Sequence, residues 1–97
     1  MTGLSRSSEG LVPRRRRLLY RAWHCGTREL DLVMGRFADA EIATMSDDDV
    51  AAFEALIEVT DADLFAWLAG RLPLPPAHDT PLFHRFRTFH ARPAQER

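Results

Sequence analysis

The sequence predicts an all-α protein, a small single-domain bundle of about five short helices. Three observations predict it. Apolar residues recur at helical spacing in five separate stretches. No stretch alternates with the period of two that a half-buried strand requires. Glycine, proline and capping residues fall at the ends of those stretches. A chain of 97 residues has room for one domain, and 45% apolar with 28% charged residues is a globular composition.

Residues 1–13 lack periodicity and are expected to form a flexible N-terminal tail. From Arg14 the pattern turns helical: Leu18, Leu19, Ala22 and Trp23 share one side of a first helix. Gly26 is expected to stop it, because glycine reaches positive φ without penalty. Thr27 then caps a second helix with the apolar face Leu30, Val33, Met34 and Phe37. A break of one or two residues would make the pair an αα-hairpin.

Ser46, followed by Asp47, Asp48 and Asp49, marks a third helix start: a serine cap, with acids over the positive end of the dipole. Its stripe is Val50, Phe53, Leu56 and Ile57. Thr60 repeats the signal for a fourth helix, striped by Leu64, Phe65, Trp67 and Leu68 and ended by Gly70. Leu72 to Pro76 holds three prolines and is expected to be extended. Thr80 and Pro81 open a fifth helix carrying Leu82, Phe83, Phe86 and Phe89. The bundle then spans residues 14–90, with a second flexible tail at 91–97. Helices this short are marginal alone, so Trp23, Trp67 and the C-terminal phenylalanines are expected in the core that holds them.

The net charge of −1 hides three blocks: +5 over residues 1–36, −9 over 37–70 and +3 over 71–97. All thirteen basic residues are arginine. Such asymmetry favours oriented docking on a partner. Attraction between the blocks inside the fold is the competing reading. No run approaches the roughly 18–20 apolar residues of a membrane span, so direct membrane insertion is not expected. The one cysteine excludes an internal disulfide and fits a reducing compartment, the bacterial cytoplasm, and the N-terminus lacks the apolar core of a secretory signal.

Sites for chemistry are scarce. Arg14–Arg17 lack aromatic interleaving and a groove-reading helix, which argues against nucleic acid. His78, His84 and His90 are six apart, a turn of about 240° that suits no metal pair on a helix. Asp47–Asp49 lack the glycine of a calcium loop. His24 and Cys25 are sequence neighbours whose side chains diverge on a helix, so no dyad is supported. No glycine-rich phosphate loop or nucleophile elbow is present, and no catalytic or metal site is expected.

The stretch from Arg15 to Leu32, with Arg21-Ala22-Trp23-His24-Cys25-Gly26-Thr27-Arg28-Glu29 at its centre, resembles the succinate dehydrogenase assembly factor (SdhE) family. So do Gly35-Arg36-Phe37-Ala38, Phe53-Glu54-Ala55-Leu56 and Asp61 to Leu68. The likeness runs from about residue 15 to residue 90. It implies a five-helix bundle that binds the immature flavoprotein subunit of succinate dehydrogenase, and in some bacteria that of fumarate reductase. There it promotes covalent attachment of FAD between a histidine of that subunit and the 8α-methyl carbon of the isoalloxazine. The resemblance therefore implies a chaperone rather than an enzyme, with no stably bound cofactor, acting on its partner's FAD.

The family signature, Arg-Gly-x-x-Glu, is met here by Gly26 and Glu29, with Cys25 in the arginine position. A neutral thiol does not replace a planar, permanently charged guanidinium. A weakened paralogue, a redox-sensitive variant and an engineered substitution remain open, as does an interaction module that has lost the flavin role. The resemblance makes Arg21, His24, Cys25, Gly26, Arg28 and Glu29 the expected partner-binding residues. Gly26 would keep the corner low, Glu29 would enter the partner's flavin cleft, and Arg21 or Arg28 would compensate for the missing arginine.

Overall fold

A computed structural model describes residues 10–91, and the two tails expected at 1–13 and 91–97 lie outside it except at their inner ends. Five helices follow: α1 Pro13–Ala22, α2 Arg28–Glu41, α3 Asp47–Ile57, α4 Asp61–Leu68 and α5 Pro81–Ala91. Two 3-10 turns, Ile42–Thr44 and Pro76–His78, complete the path. Among the described residues there is no strand. The protein is all-α, as the periodicity predicts.

The starts of α2 to α5 are each built by the residue that the sequence marks for it. Thr27 Oγ1 accepts from the Leu30 amide, Thr60 Oγ1 from Asp63 and Thr80 Oγ1 from Phe83. Ser46 and Asp49 exchange side chain–backbone bonds in a reciprocal capping box at α3. Helix α4 ends as expected: Gly70 sits at φ 75°, and the Arg71 amide returns to the Ala66 carbonyl.

Three boundaries differ from expectation. The first helix stops at Ala22, four residues before Gly26, so five residues rather than one or two join α1 to α2. The expected N-terminal tail already belongs to the fold at its inner end, where Leu11 is buried and Pro13 takes the first helical position. The proline segment is extended only to Pro75, because Pro76 opens a 3-10 turn.

The core gathers the predicted stripes around Phe37. Its ring meets Phe53 of α3 at 5.4 Å and Phe86 and Phe89 of α5 at 5.0 and 5.5 Å, all edge-to-face. Trp67 is buried, whereas Trp23, Val33, Phe65 and Phe89 are half-buried at its margin. Ile42 and Met45, outside every predicted stripe, are also buried and carry the core through the α2–α3 link.

The charge blocks pair within the fold to a large extent. The Arg14 fork holds both carboxylate oxygens of Glu54, keeping that carboxyl below its ordinary pKa. Arg15 reaches Asp47 and the Ile42 carbonyl, Arg21 pairs with Glu58, and Arg85 gathers Glu41, Asp49 and Thr44. These bonds tie α1 to α3 and α5 to the α2–α3 link. Since they sit at the surface, each adds little alone.

Phe37 joins three helices through one ring, so Phe37→Ala should cost about 3–5 kcal/mol. Urea titration should show that loss in the extrapolated free energy of unfolding, with a lower midpoint, or the chain should be unfolded in buffer. A loss below about 1 kcal/mol would show that the three helices do not share this centre.

Candidate functional site

The α1–α2 corner, residues 23–27, brings the family-signature positions together. It is fixed from two sides. On one side Trp23, just past the end of α1, seats its indole on Gly35 in the middle of α2. A β-carbon at Gly35 would come closer than 3.0 Å to the ring carbons Cδ2, Cε2 and Cε3. The indole N–H donates to Asp39, one turn further along α2, at 3.2 Å. On the other side the Cys25 amide donates to the Asp31 carboxylate at 2.5 Å, and the Asp31 amide returns to the Thr27 carbonyl at 2.9 Å.

Gly26 stands between these two ties at φ 112°, where a β-carbon is strained. Yet a β-carbon built there would meet nothing within 4 Å. The two glycines thus differ in kind: Gly35 is small because an indole occupies the space, and Gly26 borders open space. Beside that bare apex Arg28 and Glu29 are exposed in the first turn of α2. Neither is held by an ion pair or hydrogen bond among the described residues.

The remaining predicted site residues separate. Arg21 is taken by Glu58 at the end of α3, which leaves Arg28 as the cation beside Glu29. His24 is exposed: its Nδ1–H donates to the Tyr20 carbonyl at 2.7 Å, and its ring stacks on the Tyr20 ring at 3.9 Å. The Cys25 thiol turns inward, donating to the carbonyls of Arg21 and Ala22 at 3.2 and 3.4 Å. Burial, and then the Asp31 carboxylate, push its pKa up to about 11, with Arg21 acting against them. This thiol serves as a hydrogen-bonding cap on α1.

Sequence reasoning missed Asp31 as a tie, Gly35 and Asp39 as the seat of Trp23, and Tyr20 as an exposed ring. One signal was available: a mid-helix glycine costs about 1 kcal/mol against alanine, so Gly35 called for a packing partner. The three spaced histidines do not meet: His78 lies against Trp67, His84 contacts Asp79, and His90 donates to the Val33 carbonyl. Among the described residues no three His, Cys, Asp or Glu side chains converge on a metal site. No helix there is long and apolar enough to cross a membrane.

The corner, tied from two sides, thus presents an open apex and an unpaired carboxylate on a small helical bundle. The family model described as the flavinator of succinate dehydrogenase matches residues 16–90, and the chain belongs to that family. An FAD assembly factor SdhE from Acetobacter pasteurianus is 42% identical over 79 residues, covering 81% of this chain and 72% of that one. A mitochondrial succinate dehydrogenase assembly factor 2 from Mycosarcoma maydis is 34% identical, covering 72% of this chain and 29% of its own. The corresponding protein of Drosophila grimshawi is 33% identical, covering 78% and 53%. The chain thus spans about half or less of these two mitochondrial relatives. No solved structure gives a match.

Two outcomes test the corner. Alanine at Gly35 favours the helix by about 1 kcal/mol but displaces a rigid indole, and overpacking costs about 1–3 kcal/mol. The clash also removes the seat of Trp23, so Gly35→Ala should lower the melting temperature by several degrees; an unchanged or higher value would remove the indole from this account. Iodoacetamide at pH 7.5 should alkylate Cys25 roughly a hundredfold more slowly than an unperturbed thiol, the rate rising about tenfold per pH unit toward pH 11. A rate equal to that of glutathione would place the thiol in solvent.

Proposed function

We propose that this chain is an assembly factor that docks through its α1–α2 corner on the immature flavoprotein subunit of succinate dehydrogenase and promotes its covalent attachment of FAD. The observation that carries this reading is the open apex at Gly26 beside the unpaired Glu29, in a chain of the flavinator family. The FAD and the modified residue belong to the partner, so the chain itself acts as a chaperone without a stably bound cofactor. Its setting is the bacterial cytoplasm, and the flavoprotein of fumarate reductase is a second client.

The bare glycine lets another backbone approach the corner closely. Glu29, projecting from the first turn of α2, accepts hydrogen bonds inside the flavin cleft, and Arg28 supplies the cation that Cys25 does not. Docking favours the client conformation in which flavin and attachment residue are aligned. If that conformation is about 1% populated alone, raising it to about half requires roughly 3 kcal/mol of differential binding. One desolvated, charge-assisted contact and a modest apolar area supply this. A modest total affinity also permits release.

The inward turn of the Cys25 thiol favours one alternative, a helical interaction module that has lost the flavinylation role. Two variants separate the readings. Glu29→Ala removes a dipole contribution of about 0.3–1 kcal/mol, so melting should shift by only a few degrees. Covalent flavin on the client, read by in-gel fluorescence, should fall several-fold; a loss of folding instead would assign Glu29 to the helix start alone. Cys25→Arg should raise client affinity if the thiol weakens docking. A wild-type chain that neither binds nor flavinylates the client selects the alternative.

A further inference from the structure

Helix α1 carries its arginines on two sides, and only one side is neutralised. Arg14, Arg15 and Arg21 are paired with Glu54, Asp47 and Glu58. The outer side repeats every four residues, Val12, Arg16, Tyr20 and His24, with Arg17 alongside, and all five are exposed. Val12 is 57% and Tyr20 61% exposed, two of the four large apolar side chains open to solvent among the described residues. Arg16 spends one nitrogen on the Leu11 carbonyl. Arg17 feels the charge of Glu54, but both oxygens of that carboxylate are held by Arg14.

This side has three properties that the fold does not use. The first turn of α1 contains no acid, and Arg16, unlike Arg14 and Arg15, opposes the helix dipole there without an ion-pair partner among the described residues. The Tyr20 ring is held in one orientation by its stack on His24, which lowers the entropy lost on further contact. The strip also runs without a break into the corner, because His24 belongs to both. The ten helical residues Pro13–Ala22 give it about 15 Å of its length.

We propose that the outer face of α1 is a second contact strip for the flavoprotein client, meeting an acidic surface of that protein, with Tyr20 as the anchoring ring. Arg16 and Arg17 find there the carboxylates that the described residues of this chain do not pair with them. Tyrosine and arginine are the residue types that dominate binding when they stand at the centre of a contact. The corner determines what is aligned, and the strip fixes the angle at which the corner enters. This inference rests on the function proposed above.

The test measures binding of the full chain to the flavoprotein subunit of the source organism's succinate dehydrogenase, loaded with FAD, at two salt concentrations. Tyr20→Ala and Arg17→Glu should each weaken binding at least tenfold while circular dichroism and melting stay at wild-type values. Tyr20→Phe, which keeps the ring, should stay within about twofold. Arg17→Glu should also flatten the salt dependence, whereas Arg71→Glu, on the loop after α4, should change neither quantity. If Tyr20→Ala and Arg17→Glu bind like wild type while Glu29→Ala does not, the strip is refuted and the corner stands. A wild-type chain that fails to bind at all overturns both. A dimer in sedimentation that Tyr20→Ala dissolves would give the face to a second copy and likewise refute the proposal.

Discussion

The corner depends on one close approach: an indole ring seated on a residue that has no side chain. Trp23 leaves the end of α1 and comes down on Gly35, two turns into α2, where its N–H reaches Asp39. The contact lies just past the end of α1, with the ring directed at α2 rather than along its own helix. It also fixes the angle at which the chain enters the joining loop. With that end anchored and the Cys25 amide tied to Asp31, the loop has few conformations left.

Arginine is used in the same economical manner. The chain contains no lysine, and the planar guanidinium suits the forked contacts seen at Glu54 and at the Glu41–Asp49 pair. These bonds fix α1 over α3 and α5 over the α2–α3 link, so the charge blocks are first of all a record of packing. What survives after pairing is more scattered than the blocks suggest: among the described residues Arg16 and Arg17 on α1, Arg28 with Glu29 beside the apex, Arg36, Arg71, and the acids Asp48, Asp61 and Asp63 stand outside every ion pair. The net charge of a block therefore says less about partners than the few charges left without one.

What could be read in advance follows the range of the interactions involved. The helix starts were legible because a cap is local: Thr27, Ser46, Thr60 and Thr80 each bond to an amide three residues on. The buried stripes were legible because period 3.6 is local as well. The end of α1 was not. Gly26 looked like a stop signal, whereas the helix ends at Ala22 and Trp23, just beyond it, contacts a residue twelve positions away. The burial of Ile42 and Met45 was hidden for a related reason, since a 3-10 turn carries no stripe of its own. Of the site, Gly26 and Glu29 were legible only through the resemblance, and the partners of Arg21 and Cys25 required the fold.

Cys25 shows how a signature position can change chemistry without disturbing its surroundings. An arginine there would carry a long charged stem, whereas the thiol is short enough to reach back to the carbonyls of Arg21 and Ala22. Those carbonyls lie at the C-terminal end of α1: that of Arg21 also takes the His24 amide at 3.1 Å, and that of Ala22 takes the thiol. The backbone at this position is held by Asp31 through the amide, a bond that does not depend on the side chain. The shape that the corner presents, with the apex at Gly26 and the carboxylate of Glu29 beside it, is held by Trp23 on Gly35 and by Asp31 on the Cys25 amide.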